Sequence, residues 1–422
     1  MSWAGPFQFE IGKTRNVGKP ATGNGFAALP DPQQPTLLCL SHLRWNFVYQ
    51  RPQHLMSRFA RTHQVLFFEE PIASDAITPW LDISMPEPGV RVLVPRIPAS
   101  HIGTREGEAD QRRLLNRYLT ISGAEPVLWY YTPMSLSFTD HLDSPLIVYD
   151  CMDELSAFRG APPELVEREQ RLMKRADLVF TGGVSLYEAK KRHNSNAHPF
   201  PSSVDLDHFR AARSIAKEPV DQARIPHPML GFYGVIDERL DIELVDAVAA
   251  ARPDWHIVLV GPVVKIDPAT LPRRPNIHYL GPKVYDELPQ YLGGWDAAIM
   301  PFAINESTRF ISPTKTPEYM AGGRPVVSTP IRDVVRTYGT SAIVRIARDA
   351  NGFVSAIEDS LDDMRTPAAV AAVADHELRN MSWDNTWQSM SALMDDAIET
   401  SETLAYQAAI GAGRRTARRV RA

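Results

Sequence analysis

Three side chains with complementary chemistry lie close together in the segment ISPTKTPEYMAGGRPVVSTP, residues 311–330. Glu318 follows Lys315 by three positions and Thr314 by four, and residues at these spacings meet on one face of an α-helix. The lysine can neutralise a phosphate, and the glutamate can accept hydrogen bonds from the hydroxyls of a ribose. The start of the helix would also present free N–H groups to an anion. The segment therefore predicts a site for a nucleoside diphosphate. The competing interpretation is an ordinary solvated Lys–Glu pair on a helix surface.

Two positions for this short helix are compatible with the sequence. Ser312 as the N-cap and Pro313 as the first residue would give a helix that stops at Gly322 as the C′ residue. A second proline would then interrupt the backbone hydrogen bonds of that helix. The helix can instead begin at Thr316–Pro317, which places Glu318 in its first turn. The sequence leaves both positions open.

The elements that must position these residues follow an α/β pattern. Continuous apolar runs such as TLLCLS and MLGFYGVI alternate with amphipathic segments, as in parallel sheets covered by helices on both faces. The pattern is interrupted by a proline-rich stretch of mixed charge and then resumes. We therefore predict an α/β fold with two Rossmann-like domains, residues 36–200 and 229–381, joined by a connector at 201–228. A cleft between them, at the carboxyl ends of the strands, is the expected ligand site.

Composition excludes several classes of protein. A net charge of −5 over 422 residues gives no basic domain for nucleic acid. Only Cys39 and Cys151 are present, which favours a reducing compartment over a disulfide framework. The N-terminus lacks the apolar run of a signal peptide, and no long apolar stretch suggests a membrane span. The sequence predicts a cytoplasmic protein.

The two ends of the chain differ from the middle. Residues 1–35 show no periodicity and are interpreted as a poorly ordered arm. Residues 382–409 are predicted to be helical. Residues 410–422 carry five arginines and no acidic residue. This tail either is simply solvated or contacts anionic lipid at the inner face of the membrane.

A second group of polar residues follows the first predicted strand, at the cleft edge of the first domain. An aromatic face and polar groups could hold a sugar acceptor, and the candidates are His42, Arg44, Trp45, Gln50 and Arg51. Packing of the aromatic residues beneath the loop is an equally good interpretation of Trp45. His54, on the following helix, is interpreted as structural.

Carboxylates at the end of the strand PLIVYD are the catalytic candidates, together with His42. Asp150 and Asp153, with Glu154 beside them, could act as a general base or stabilise positive charge on a sugar ring. A loop hydrogen bond or helix cap is the alternative, and Asp153 fits it well. No Asp-x-Asp pair follows the strand, so neither a metal nor any other cofactor is expected.

One glycine-containing turn completes the candidates derived from the residues of the second domain. Gly281 and Lys283, in Gly-Pro-Lys after a predicted strand, could cradle a nucleotide base, although an ordinary strand-to-helix turn explains them as well. No Gly-x-Gly-x-x-Gly follows the first strand, which argues against a nicotinamide dehydrogenase.

With these segments in view, the sequence resembles the GT-B glycosyltransferases that use nucleotide sugars. The run PTKTPEYMAGGRPVVST is similar to their donor-binding segment, and PSSVDLDHF is similar to their entry into the interdomain connector, with Ser202–Ser203 in place of Asn-Gly. YGVIDERLD corresponds to the first loop of their nucleotide domain. SHLRWNFVYQRPQHLMSRFA resembles a bacterial subgroup that assembles cell-surface polysaccharide. The resemblance covers roughly residues 36–395.

This resemblance implies roles for individual residues. Arg239 and Lys315 would grip the donor diphosphate beside Gly234, Glu318 would hold the ribose, and no metal would be needed. Helices after residue 382 would cross back to the first domain. Many retaining members carry a second glutamate eight positions before the one matched by Glu318, where this chain has Phe310.

The expected function is transfer of a sugar from a nucleotide-diphosphate donor, expected to be UDP-linked, to a glycan or lipid-linked glycan in surface polysaccharide synthesis. Two alternatives stay open. A sugar-nucleotide epimerase of the same fold would use the same donor site without an acceptor. A non-catalytic binding subunit is consistent with the missing first glutamate, although Glu306 lies nearby.

Overall fold

The computed structural model describes residues 34–158 and 160–419, apart from the side chains of residue 405 and residues 407–419. The arm predicted at 1–35 therefore lies almost wholly outside the described residues. The same is true of the basic side chains on which the predicted lipid contact of residues 410–422 depends. Among the described residues, the structure contains no helix with the length and apolar character that spanning a bilayer requires.

The first domain is a sheet covered on both faces. Its strand order is β3-β5-β2-β1-β6-β7-β8-β9, and within the described residues only the added strand β4 runs antiparallel, against β5. The strands are β1 (Thr36–Leu40), β2 (Gln64–Phe68), β3 (Ile72–Ser74), β4 (Trp80–Glu87), β5 (Val90–Pro98), β6 (Val127–Tyr130), β7 (Ile147–Cys151), β8 (Leu178–Thr181) and β9 (Ala197–Pro199). The helices are α1 (Arg51–Phe59), α2 (Arg105–Ser122), α3 (Leu136–Thr139), α4 (Glu164–Arg175) and α5 (Val184–Lys190).

The two faces of the first sheet form separate cores. Along β1, Leu37 and Cys39 face one core, and Leu38 and Leu40 face the other, as alternation along a strand requires. All of β1 is buried, which explains why its sequence is continuously apolar rather than alternating.

The second domain contains one parallel sheet, with the order β12-β11-β10-β13-β14-β15. It follows a connector that contains α6 (Leu206–Arg210). Its strands are β10 (Met229–Tyr233), β11 (His256–Val260), β12 (Ile277–Gly281), β13 (Ala297–Met300), β14 (Val326–Ser328) and β15 (Val344–Ile346). The helices are α7 (Ile242–Ala251), α8 (Leu288–Gly293), α9 (Lys315–Ala321), α10 (Arg332–Tyr338), α11 (Ala350–Asp363) and α12 (Pro367–Leu378). The predicted fold class, two parallel α/β domains, is confirmed.

The last helix, α13 (Trp383–Arg419), returns to the first domain. Trp383, Met390 and Met394 are buried in the core that also contains α1. Asp384 forms ion pairs with Arg58 and Arg61. This helix thus closes one face of the first sheet, although it follows the second domain in sequence.

The two domains also meet through Asp333 at the start of α10. This buried carboxylate accepts hydrogen bonds from the backbone N–H of Ser185, at 3.1 and 3.3 Å, and from the Ser185 hydroxyl. Ser185 lies in the first turn of α5, where backbone N–H groups have no partner within the helix. Asp333 of the second domain therefore accepts a hydrogen bond from a backbone N–H group in the first turn of a first-domain helix.

Candidate functional site

Gly234, directly after β10, allows the backbone to pass close to Lys315. It has φ of +143°, and a Cβ atom added there would lie 2.3 Å from the Lys315 Cε. Any other residue would be strained in conformation and would also clash. This glycine brings the end of β10 against the start of α9.

The position of α9 differs from both positions considered from the sequence. The helix begins at Lys315 with Thr314 as its N-cap, so Glu318 lies in the first turn. At the other end, Gly322 is the C-cap rather than C′, and Gly323 takes the left-handed conformation with φ of +73°. The N–H of Arg324 donates to the Tyr319 carbonyl, which closes a Schellman motif.

Glu318 is buried and held by hydrogen bonds. The Tyr233 hydroxyl donates to its Oε2 at 2.8 Å. Burial raises the pKa of Glu318, while Lys315 and hydrogen bonds with Tyr233 and Thr314 oppose the increase. A carboxylate can accept more hydrogen bonds than these two, so Glu318 retains capacity for a ligand hydroxyl.

Lys315 and Arg239 make the same region positive. The Lys315 Nζ lies 5.9 Å from the centroid of the Phe232 ring. Burial is the main cause that lowers the pKa of Lys315; Glu318 opposes it and Arg239 adds to it. Arg239 is fixed by Asp237, with Nη2–Oδ2 at 2.7 Å and Nε–Oδ1 at 2.9 Å. Two half-buried cations in the same region favour binding of an anion such as a diphosphate.

Asp153 faces these cations from the first domain. Burial raises the pKa of Asp153 from 3.8 to about 6, while the charges of Arg239, Arg51 and Lys315 oppose the increase. Phe158, from the same loop, lies close to two cations: the Arg239 guanidinium is 5.8 Å and the Lys265 Nζ 5.3 Å from its ring centroid. The loop after β7 therefore forms one wall of a cleft whose other wall is the second domain.

Asp150 is in a different environment from Asp153. It is fully buried, and Arg51 grips both of its oxygens, with Nε–Oδ2 at 2.9 Å and Nη2–Oδ1 at 2.8 Å. The Arg51 Nη1 also donates to the Phe200 carbonyl at 2.8 Å. This geometry is that of a buried structural ion pair that ties α1 to β7 and to the last residue before the connector.

Three further acceptor candidates of the first domain, Trp45, Arg44 and Gln50, have partners within the protein. Trp45 is buried and packs edge-to-face on Phe67 at 5.0 Å, which favours the packing interpretation. The Arg44 guanidinium donates to Glu69 at 2.9 Å, and Gln50 is the N-cap of α1.

His42 is neutral at physiological pH. Burial is the main cause that lowers the pKa of His42 to about 4; Lys265 adds to the decrease, and a hydrogen bond with the Tyr131 backbone opposes it. Such a weakly basic imidazole is a poorer general base than Asp153.

Glu154 and the Gly281 turn have structural partners. Lys190 pairs with Glu154 at 2.7 Å. Gly281 has φ of +70°, which ends β12 in the left-handed conformation. The Lys283 Nζ pairs with Asp221 at 2.6 Å. These contacts favour the ordinary-turn interpretation of the Gly-Pro-Lys segment.

Four residues at the site had not been singled out in the sequence. Tyr233 and Asp237 hold Glu318 and Arg239, and both oxygens of Glu238 are buried without a hydrogen-bond partner in the described part of the chain. The Tyr285 hydroxyl is buried and likewise without a partner there. Tyr233, Asp237 and Glu238 belong to the segment YGVIDERLD, and Tyr285 lies four positions after Gly281, so their positions in the sequence were a signal. Nothing in the sequence specified their contacts.

The fold and a sequence family connect this geometry with known proteins. Residues 227–363, most of the second domain, match the family model described as glycosyl transferases group 1. The Bacillus subtilis (strain 168) protein TuaH, named as a glycosyltransferase of teichuronic acid biosynthesis, is 27% identical over 224 residues. That match covers 49% of this chain and 56% of TuaH, so it spans only about half of either protein.

Solved structures show the same fold over most of the chain. Sucrose-phosphate synthase from Thermosynechococcus elongatus superposes with a TM-score of 0.65 at 16% identity, covering 87% of this chain and 100% of that one. The Anabaena protein HepE, in complex with UDP and glucose, gives a TM-score of 0.62 at 14% identity and covers 86% and 100% of the two chains. This chain therefore has the GT-B fold, and the resemblance to GT-B glycosyltransferases is confirmed.

Proposed function

We propose that this GT-B chain is a glycosyltransferase that moves a sugar from a nucleotide-diphosphate donor to a glycan or lipid-linked glycan in the assembly of surface polysaccharide. The observation that carries the proposal is the approach of the loop after β7 to the second domain, where Phe158 lies 5.8 Å from Arg239 and the charges of Arg239 and Lys315 act on Asp153. Cations for a leaving diphosphate thus face a carboxylate across the cleft. The matches to TuaH and to the group 1 family support the same class of reaction.

The donor is assigned to the second domain. Lys315 and Arg239 neutralise the diphosphate, which is the electrostatic work that a metal ion would otherwise do. Glu318, in the first turn of α9, accepts the hydrogen bonds of the ribose. We expect a UDP-linked sugar, in line with the UDP bound to HepE in its solved structure.

Asp153 is proposed as the general base. In the reaction, the bond between the sugar C1 and the β-phosphate oxygen breaks, and the acceptor oxygen forms a new bond to C1. The acceptor hydroxyl loses its proton to Asp153, and the negative charge moves to the nucleoside diphosphate beside Lys315 and Arg239. With a pKa of about 6, Asp153 is ionised at neutral pH and still basic enough to accept a proton.

The donor sugar needs further hydrogen-bond acceptors. Phe310 occupies the position of the first family glutamate and packs against a core of the first domain. Glu306 is mostly exposed, with 77% of its side chain accessible, and lies 3.4 Å from Arg309. Glu238 is the better candidate, since it adjoins Arg239 and its buried oxygens lack partners within the described residues.

The acceptor is assigned to the first-domain side of the cleft. We propose His42 as the sugar contact on this side of the cleft. It lies close enough to Lys265 of the second domain for the lysine charge to lower its pKa. Arg44 and Gln50 stay proposals for the outer part of this site, whereas Arg51 and Trp45 are proposed as its structural support. We further propose that the reaction takes place in the cytoplasm, with the basic tail 410–422 contacting anionic lipid.

Calorimetric titration with UDP, GDP, ADP and CMP, with and without Mg²⁺, tests the donor site. Selective micromolar binding of UDP that does not depend on metal and is weakened in Glu318→Gln is the expected result. Glu306→Gln is the matched control, because it removes an equal charge from an exposed residue. Absence of binding by all four nucleotides would refute the donor site and favour a non-catalytic binding subunit. Conversion of a sugar nucleotide without any acceptor would instead indicate an epimerase.

A further inference from the structure

Tyr285 lies where the second domain, the connector and the first domain meet. It begins a short 3-10 turn after β12. Its ring stacks on His208 of the connector, with centroids 4.2 Å apart and planes at 8°. Tyr49 and His54 of the first domain contact it at 4.8 and 5.5 Å. With Phe209 at 5.7 Å on another side, the ring is held by aromatic contacts from several directions.

The hydroxyl of this fixed ring has no hydrogen-bond partner in the described part of the chain, although its oxygen is buried. Buried hydroxyls in native proteins are nearly always hydrogen-bonded, and an orphaned one calls for a specific explanation. Rotation of the ring cannot easily supply a partner, since the surrounding rings hold it in place. A ligand that enters the cleft can supply one.

Ring contacts lead from Tyr285 to a charged group: Phe209 also stacks on Tyr233, with centroids 6.2 Å apart, and the Tyr233 hydroxyl donates to Glu318. Burial raises the pKa of Tyr285, and the charge of Glu318 is the next cause of the increase. Tyr285 in turn raises the pKa of Tyr233, after burial, Glu318 and Tyr319. Tyr285, Tyr233 and Glu318 therefore form one cluster, in which Tyr233 already donates to Glu318 and Tyr285 does not.

We propose that the Tyr285 hydroxyl, together with Glu318, recognises the vicinal hydroxyls of the donor ribose. One ribose hydroxyl donates to the Glu318 carboxylate, and the Tyr285 hydroxyl donates to the neighbouring one. This inference rests on the proposed donor site and adds a residue that determines specificity for ribonucleotides over deoxyribonucleotides. It also gives the donor a contact whose position depends on the first domain, through Tyr49 and His54.

The substitution Tyr285→Phe tests the inference, because it keeps the ring and its packing and removes only the hydroxyl. Affinities for UDP and for its 2′-deoxy and 3′-deoxy analogues are measured by calorimetry on the full chain. The wild type should prefer UDP. The variant should bind UDP about 5- to 10-fold more weakly, the effect of one hydrogen bond. Its affinity for one of the two deoxy analogues should be unchanged.

Tyr279→Phe is the matched control. Tyr279 lies on β12 of the same domain, and its hydroxyl donates to the Pro272 carbonyl at 3.1 Å, so its loss should not alter nucleotide affinity. Unchanged UDP affinity in Tyr285→Phe, or an equal loss for UDP and both analogues, would overturn the ribose contact while leaving the donor site intact. A wild type that binds no nucleotide would overturn the donor site as well.

Discussion

Replacement of Asp153 by Asn should stabilise the folded protein at neutral pH while removing its transfer activity. Burial raises the pKa of Asp153 from 3.8 to about 6 despite the opposing charges of Arg239, Arg51 and Lys315. A carboxyl group whose pKa is higher in the folded than in the unfolded state stabilises the fold only while it is protonated. That contribution is complete below pH 3.8 and is lost as the pH rises through about 6. Above that pH, the ionised group is less favourable in the folded protein than in water.

The pKa difference sets the size of the effect. It is about two units, and each unit corresponds to about 1.4 kcal/mol. The ionised carboxylate therefore costs up to ~3 kcal/mol at pH 8, and a neutral amide of the same shape avoids this cost. For a domain of 150–250 residues, 1 kcal/mol shifts Tm by roughly 2–4 °C, so the variant should melt roughly 6–12 °C higher at pH 8. The difference should vanish near pH 4.

Thermal unfolding of both proteins across pH 4–8 measures this difference. Asp150→Asn is the matched control, since the same chemical change there leaves the buried Arg51 without its ion-pair partner. That variant should be destabilised by about 3 kcal/mol or more. An Asp153→Asn variant whose Tm difference from the wild type is the same at pH 4 and pH 8 would refute the argument that burial disfavours the carboxylate. A destabilised Asp153→Asn would refute it as well.

Three further changes probe other parts of the cleft. Lys315→Met should weaken diphosphate binding about 10- to 100-fold, the effect of a charged hydrogen bond, with unfolding unchanged; calorimetry that shows wild-type affinity would remove Lys315 from the site. Glu238→Gln should lower the transfer rate, measured with a radiolabelled donor, whereas Glu306→Gln should not; the reverse order would assign the donor sugar to Glu306. Asp333→Ala should lower stability by about 1–2 kcal/mol in chemical denaturation, because α5 loses the cap supplied by the other domain, and no change would show that this contact carries no stability.

The fold was readable from the sequence because its main signal is local. Strands such as β1 and β10 are buried on both faces, so their sequences are continuously apolar and stand out from the helices between them. The end of α9 was readable to within one residue, because two successive glycines leave few ways to stop a helix. Its start was not, since Pro313 and Pro317 are both acceptable near a helix N-terminus.

The sequence could not show that Asp150 forms a structural ion pair whereas Asp153 lies at the cleft. Both follow the same apolar strand, and both carry the same functional group. Asp150 differs because Arg51, 99 positions away along the chain, reaches it through α1. The same limit applies to Tyr285, whose aromatic partners come from both domains and the connector. Contacts between segments distant in sequence leave no local pattern.

The position of Asp153 beside the proposed diphosphate leads to a final prediction. Negative charge brought near a carboxylate raises its pKa, because the ionised form is disfavoured. A bound donor should therefore raise the pKa of Asp153 above the value of about 6 in the free protein. The negative charge that develops on the leaving diphosphate makes Asp153 more basic as the acceptor proton moves.

The pH dependence of the reaction separates the two states of the enzyme. The kcat/KM profile reports the free protein and should fall below about pH 6, while kcat reports the donor complex and should fall at a higher pH. Coincident midpoints would show that Asp153 does not sense the diphosphate, and the base would then have to be sought elsewhere in the cleft. Separate midpoints, with the higher one for kcat, would instead place the Asp153 carboxylate beside the leaving diphosphate. The negative charge on that leaving group then raises the pKa of Asp153 and makes it a stronger base.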